Sequence, residues 1–329
     1  MTTIVTYPEN DTTDPVAIRR EPAGTISAGS GPALDIRPLS GAIGAEIRGV
    51  DLKRPLPPET YGEIRAAWLR YKVVFFPGQH LSPEEHRSFA AQFGELTPAH
   101  PVIPGIDGYP EVFEIDYGRA RELYASYGDL TRRRSSAVSW HTDVTFVQRP
   151  PAGSVLNAVV IPPSGGDTLW TNQVAAFEAL SPAFQEFLST LTAVHDGGAQ
   201  FSELLRHRNE NVDADTGEGG AEWDGEAFAA LTPVEHPVVR THPETGERSL
   251  FVNAGFTSHI AGLEPAESQA LLTFLHQHST SPEFTVRYHW TAGDIGFWDN
   301  RATQHSVVGD FGDQARVIQR VTIRGDVPV

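Results

Sequence analysis

The chain has 329 residues, 40 % of them hydrophobic, and a formal net charge of −17. It contains no cysteine, which excludes disulfides, iron–sulfur clusters, thiolate zinc sites and cysteine nucleophiles. The apolar fraction supports a substantial core, and the acidic excess argues against a nucleic-acid partner, which needs a phosphate-neutralising basic surface.

Residues 1–32 are rich in Thr, Pro, Glu and Gly and are expected to form a flexible arm. Met1–Asp14 lacks the basic segment and apolar run of a secretory leader, and no apolar run reaches membrane-spanning length. A cytoplasmic protein with no membrane partner is expected. Residues 33–329 are expected to form one domain, beginning at Leu34–Leu39, with Ala45–Val50 alternating like a strand. Pro58–Leu69 has helical spacing, with Tyr61, Ile64, Ala67 and Trp68 on one side. Val73–Phe76 reads as a short buried strand. Ser82-Pro83-Glu84-Glu85 combines a cap, a first-turn proline and a capping-box glutamate, so a helix is expected to about Phe93.

His100–Pro104 is a proline-pinned loop, and Val112–Ile115 is a strand candidate. Residues 117–136 carry Arg132-Arg133-Arg134 and read as an insertion, either a solvated loop or a flap bringing positive charge. Leu156–Ile161 and Asp167–Trp170 read as strands around the turn Pro162–Gly166. Two short helices, Val174–Leu180 and Pro182–Thr190, precede the strand Leu191–His195. Residues 207–225 are polar, acidic and glycine-rich, an insertion expected to be a loop or lid. Glu235–Arg240 and Leu250–Asn253 flank a turn at Pro243–Glu247 and predict a hairpin. A helix over Glu264–His278 is followed by strands at Phe284–Trp290, Asp294–Trp298, Gln304–Val308 and Arg316–Ile323. Many short strands joined by Pro- and Gly-rich turns predict a mainly β domain with flanking helices, a sandwich or jelly roll.

The segment Val138–Phe146 alternates polar and apolar residues and reads as a strand. On a strand, His141 and Asp143 share a face. Such a pair is by itself often a hydrogen-bonded core or surface pair. With a distant histidine it becomes two imidazoles and one carboxylate, the facial set that holds non-haem Fe(II) and leaves positions open. His305 is the best third ligand, because it lies just before two arginines, Arg316 and Arg320. An arginine fork suits a carboxylate, and an inward pair of them implies a nearby anion.

His141-Thr142-Asp143, Gly165-Gly166-Asp167-Thr168, Trp298-Asp299-Asn300-Arg301, His305, Arg316 and Arg320 together resemble the taurine dioxygenase family of Fe(II)/2-oxoglutarate oxygenases. The resemblance runs from about residue 33 to the C-terminus. It implies a double-stranded β-helix, or jelly roll, and a homo-oligomer, dimer or tetramer. It implies Fe(II) on His141, Asp143 and His305, with 2-oxoglutarate and O2 as co-substrates. Arg316 and Thr168 match the family's 2-oxoglutarate positions. Arg320, His100 and Val144 match positions near the substrate. Where the family's taurine enzymes have a tyrosine and an asparagine, this chain has Ile103 and Ala137. Losing those polar groups argues for an apolar tail on a small anionic organic substrate. The expected reaction hydroxylates the carbon next to the anionic head of an alkylsulfonate or alkyl sulfate ester. Sulfite or sulfate would leave with an aldehyde, alongside succinate and CO2. The alternative is hydroxylation or desaturation of a carboxylated metabolite.

Overall fold

The structure, a computed structural model, describes residues 34–118, 139–198, 201, 222–223, 226–227 and 232–329. The expected N-terminal arm, Ala137, and most of 117–136 and 207–225 lie outside them. Leu34 opens a compact unit that runs to Val329.

Val73–Phe76 shows how the layers form. All four residues are apolar and buried. Val74 and Phe76 join one core cluster, with Trp68 and Phe89 from helices. Val73 and Phe75 join another, with Trp170, Val286 and Tyr288 from a facing sheet. A strand covered on both faces reads as an unbroken apolar run, because neither set of alternating side chains meets water.

The covered strand belongs to a seven-stranded sheet in the order Asp35–Pro38, Ala45–Arg48, Val73–Phe76, Ile295–Asp299, Gly153–Val160, Val317–Ile323 and Phe113–Asp116. The facing sheet orders Thr285–Tyr288, Thr168–Asn172 and Thr303–Val307. The outer face of the large sheet carries the helices Pro58–Tyr71 and Pro83–Ala91. Pro83–Ala91 begins as its sequence predicts: Ser82 Oγ accepts from the Glu85 amide, and Glu85 accepts in return from the Ser82 amide at 2.8 Å. A third cluster packs the helices Gln173–Glu178, Pro182–Leu188 and Pro265–Ser279 against the strands around Val238 and Leu250.

Two local expectations change, and one strand goes unread. Val138–Phe146 is not a regular strand among its described residues. His141 makes a single bridge to His305, and the chain then turns, with Val144 at φ +53°. That left-handed conformation is costly for a β-branched residue and breaks the extended alternation. The run 235–240 is divided between two sheets. Val234–Pro237 pairs with Thr192–His195, and Val239–Thr241 pairs with Arg248–Leu250. A polar strand, Thr257–Ile260, also pairs with Thr192–His195. Its sequence lacks the apolar alternation that would reveal it.

The hairpin turn clasps the Trp298–Arg301 corner. His242 Nδ1 accepts from the Glu244 and Thr245 amides, leaving Nε2 to donate to Asp299 at 2.9 Å. Arg301 bonds Asp299 and reaches Glu244 at 2.6 Å. Lys72, buried at the end of its helix, reaches Glu247 at 2.5 Å. The buried charges among them, Lys72, Asp299 and Arg301, are all partnered, as burial requires.

Candidate active site

The site lies between the two facing sheets, and strand register decides what points into it. In an antiparallel pair, residues directly opposite one another share a face. His305 stands opposite Trp170, and Thr168 opposite Tyr288. Arg320 stands opposite Leu156, and Ser154 opposite Trp298. Trp170, Tyr288, Leu156 and Trp298 all pack in the inter-sheet core. His305, Thr168, Arg320 and Ser154 therefore project inward from four different strands.

His141 and Asp143 arrive from the turn instead. The backbone amides and carbonyls of His141 and His305 are exchanged at 3.0 and 2.8 Å, which fixes the turn against the strand Thr303–Val307. Asp143 Oδ1 lies 4.0 Å from His141 Nε2 and 3.9 Å from His305 Nε2. One donor atom from each residue falls within 4.8 Å of the others. All three residues are buried.

Protonation suits a divalent cation. His141 Nδ1 donates to the Ser139 carbonyl at 2.8 Å, which leaves Nε2 as the lone-pair atom facing Asp143. Burial, reinforced by His141 and Arg320, pushes His305 down to about 3 against the pull of Asp143. Burial likewise lowers His141. Burial opposes ionisation of Asp143, but Arg320, the two histidines and the Ser154 hydroxyl outweigh it and hold the carboxyl at about 2. Two neutral imidazoles and one carboxylate form a donor set that fits a first-row divalent metal.

Asp143 has two further partners, one on each oxygen. Ser154 Oγ donates to Oδ2 at 2.7 Å, and Arg320 Nη1 contacts Oδ1. Asn300 Nδ2 donates to Ser154 Oγ at 2.8 Å, and Trp298 Nε1 donates to Asn300 Oδ1 at 2.9 Å. Ser154 carries no sequence signal of its role; Asn300 sits inside a quoted motif, but its link to Asp143 appears only in three dimensions.

Arg316 is a second buried polar group. Its Nε donates to the Gly166 carbonyl at 3.1 Å, while Nη1 and Nη2 are buried without a partner. Gly166 has φ +73°, and a Cβ there would stand 3.1 Å from Arg316 Nε. Glycine is needed both for the turn and for that approach. Thr168 Oγ1 accepts from Trp290 Nε1 at 2.9 Å, so its own hydroxyl proton is free to donate. The two unsatisfied buried nitrogens of Arg316 fit a carboxylate. Arg316 does not lie on the regular part of its strand, as the alternation implies. The strand begins at Val317, and its register against Gly153–Val160 shifts between Val317 and Ile318.

The other expected residues that the structure describes are His100, Ile103, Val144 and Arg320. His100 is buried and its Nδ1 accepts from the Val102 amide at 3.1 Å. Burial and then Arg320 push it down to about 3, so it is a neutral imidazole. Its ring lies 4.8 Å from Phe201 and 5.5 Å from Phe113. Val144 contributes a buried side chain to an apolar cluster of Val102, Phe146, Val147, Phe201 and Phe256, with Ile103 packed against it. Arg320 Nε and Nη2 are buried and unpartnered. Ala137 lies outside the described residues.

Two imidazoles, one carboxylate and a neighbouring arginine open to an acid group define a candidate site of the non-haem iron oxygenase class. The chain belongs to the taurine catabolism dioxygenase TauD, TfdA family, whose match spans residues 35–322. It is 41 % identical to the alpha-ketoglutarate-dependent sulfate ester dioxygenase of Pseudomonas putida, over 90 % of this chain and 91 % of that protein. It is 39 % identical to an alkylsulfatase of Acinetobacter baylyi, over 89 % and 86 % of the two chains. The crystal structure of a taurine dioxygenase from Burkholderia xenovorans superposes with a TM-score of 0.72 at 42 % identity, covering 91 % of this chain and 93 % of that one. The protein is an alpha-ketoglutarate-dependent dioxygenase, alpha-ketoglutarate being 2-oxoglutarate.

Proposed function

We propose that the protein oxidises alkyl sulfate esters or alkylsulfonates at the carbon next to the anionic head. His141, Asp143 and His305 would hold Fe(II). Arg316 and Thr168 would hold the distal carboxylate of 2-oxoglutarate. The chemistry supplied by Fe(II) with 2-oxoglutarate and O2, when bound, is hydroxylation of that carbon with release of succinate and CO2. The resulting α-hydroxy ester or sulfonate collapses to an aldehyde and sulfate or sulfite.

Arg320 carries the substrate assignment. It is a buried cation touching Asp143, with Nε and Nη2 still unpartnered, beside the apolar cluster of Val102, Phe146, Phe201 and Phe256. An anionic head on Arg320 would set an apolar tail among those side chains, with its first carbon toward the metal ligands. His100, neutral with its proton on Nε2, would add a hydrogen bond to the head. The net charge of −17 makes a local cation necessary for any anion to bind. The names of the sulfate ester dioxygenase and alkylsulfatase relatives support this choice of head group.

We further infer that the two facing sheets form a double-stranded β-helix within one domain spanning 33–329. Their layered packing and the family membership support that architecture.

The decisive experiment is a substrate panel of sulfate esters, sulfonates and carboxylates. Succinate, aldehyde and sulfate or sulfite are measured together. Equal yields of all three from a sulfur compound are expected. Stoichiometric hydroxylation of a carboxylate, with no sulfur compound cleaved at any chain length, would overturn the proposed substrate class.

A further inference from the structure

We propose that Tyr117 is a further co-substrate residue, whose phenol hydroxyl donates a hydrogen bond to the distal carboxylate of 2-oxoglutarate beside Arg316. This rests on the assignment of Arg316 to that carboxylate.

Tyr117 follows directly on the edge strand Phe113–Asp116. Its amide donates to the Arg316 carbonyl at 3.1 Å, which anchors the two residues side by side. The Arg316 guanidinium carbon lies 5.1 Å from the centre of the Tyr117 ring and 5.8 Å from that of Phe311. The two rings meet edge to face at 5.3 Å. Aromatic contacts and the Gly166 carbonyl thus account for the ring faces and for Arg316 Nε. They leave three donors with no acceptor: Arg316 Nη1, Arg316 Nη2 and the Tyr117 hydroxyl, all buried.

Buried donors are seldom left unsatisfied, because each has given up water and gained nothing. A carboxylate presents two oxygens with about four acceptor sites. It can take both arginine nitrogens, the Thr168 hydroxyl and the phenol together. Burial raises the Tyr117 pKa against the pull of Arg316, so the phenol keeps its proton and remains a donor. An aromatic wall alone would need no hydroxyl, and phenylalanine would serve there at no desolvation cost. Tyrosine gave no sequence signal for this role, since it sits between a short strand and an arginine-rich segment.

The test uses the full chain loaded with Mn(II), which binds without turnover. Calorimetry measures the affinity for 2-oxoglutarate and for 2-oxovalerate, which has a methyl group in place of the distal carboxylate. Tyr117→Phe keeps the ring and removes only the hydroxyl. It is expected to weaken 2-oxoglutarate binding roughly ten-fold or more, the usual effect of losing one hydrogen bond to a charged group, and to leave 2-oxovalerate unchanged. Equal losses for both ligands would indicate a merely structural residue and overturn the proposal. Unchanged 2-oxoglutarate affinity in Tyr117→Phe, with Arg316→Ala impaired, would overturn it as well. Unchanged affinity in both variants would instead overturn the assignment of Arg316 on which it rests.

Discussion

Ser154 donates its single hydroxyl proton to Asp143 Oδ2 at 2.7 Å, and it has no choice of direction. Asn300 already fills the serine oxygen as a donor, at 2.8 Å, and Trp298 fixes the Asn300 carbonyl in turn. The carboxylate is therefore oriented by a chain of hydrogen bonds that begins in the inter-sheet core. Ser154→Ala should weaken Mn(II) binding by about 10- to 100-fold, the usual cost of removing a group that orients a metal ligand. Asn300→Leu should do the same more weakly. Metal titration followed by calorimetry reads both, and unchanged affinity in Ser154→Ala would show that Arg320 alone orients the carboxylate.

The proposed metal triad makes a stricter demand. His141→Ala, Asp143→Ala and His305→Ala should each lose most metal affinity. Asp143→Ala has a second effect, because it leaves Arg320 buried beside an empty partner position. Breaking a buried ion pair from one side typically costs about 3–5 kcal/mol. In the metal-free protein, Asp143→Ala should thus be less stable to urea than His141→Ala. The opposite order would mean that Arg320 finds another partner or reaches water.

Gly166 tests the co-substrate frame. Alanine there must accept φ +73° and a Cβ 3.1 Å from Arg316 Nε. The left-handed conformation alone costs roughly 1–2 kcal/mol for a non-glycine residue. Gly166→Ala should lower 2-oxoglutarate affinity while leaving Mn(II) affinity intact. A loss of both together would place Gly166 in the stability of the whole sheet, and not in the frame of Arg316.

Acid should destabilise the protein through His86, far from the metal ligands in sequence. Its Nε2 donates to the Val155 carbonyl at 2.9 Å, and burial pushes it down to about 4. A histidine depressed in the folded state is protonated more readily when unfolded. Its share of stability is complete above the ordinary value near 6.5 and is lost as pH falls through about 4. The loss amounts to about 3 kcal/mol. Urea midpoints of the metal-free protein should be flat above neutrality and fall across this window. His86→Met should make the fall shallower; an identical slope would assign it to other groups.

Chain length should govern substrate choice. Each buried CH2 favours binding by about 0.8 kcal/mol until the space is filled. Medium-chain alkyl sulfates should therefore exceed short polar sulfonates in kcat/KM. Ile103, packed against the apolar cluster, is the place to reverse the preference. Ile103→Tyr should narrow the gap, and an unchanged ratio would remove Ile103 from the tail site.

Much of the scaffold was legible because local chemistry is strong in those places. Ser82 and Glu85 wrote a capping box that the backbone obeys. Val73–Phe76 declared a strand covered on both faces. Val138–Phe146 misled because alternation measures only side-chain type. The left-handed Val144 turns the chain, and the bridge from His141 to His305 holds it there. His141 and Asp143 still converge, by a turn instead of a strand face. Thr257–Ile260 was illegible because its pairing with Thr192–His195 depends on backbone hydrogen bonds, which any residues can make.

The sequence by itself determined the donor types: histidines and carboxylates without thiols, glycines where the chain must turn, and two arginines in a protein of net charge −17. Those are properties of single residues and short spacings. Only the tertiary structure decided which donors meet and which are left open. Strand register turns His305 and Arg320 inward, Ser154 reaches Asp143 across the fold, and Tyr117 comes to rest on Arg316. The physical reason is desolvation. A polar atom acquires a required partner only once burial has removed water, and burial is a property of the packed layers, not of the chain.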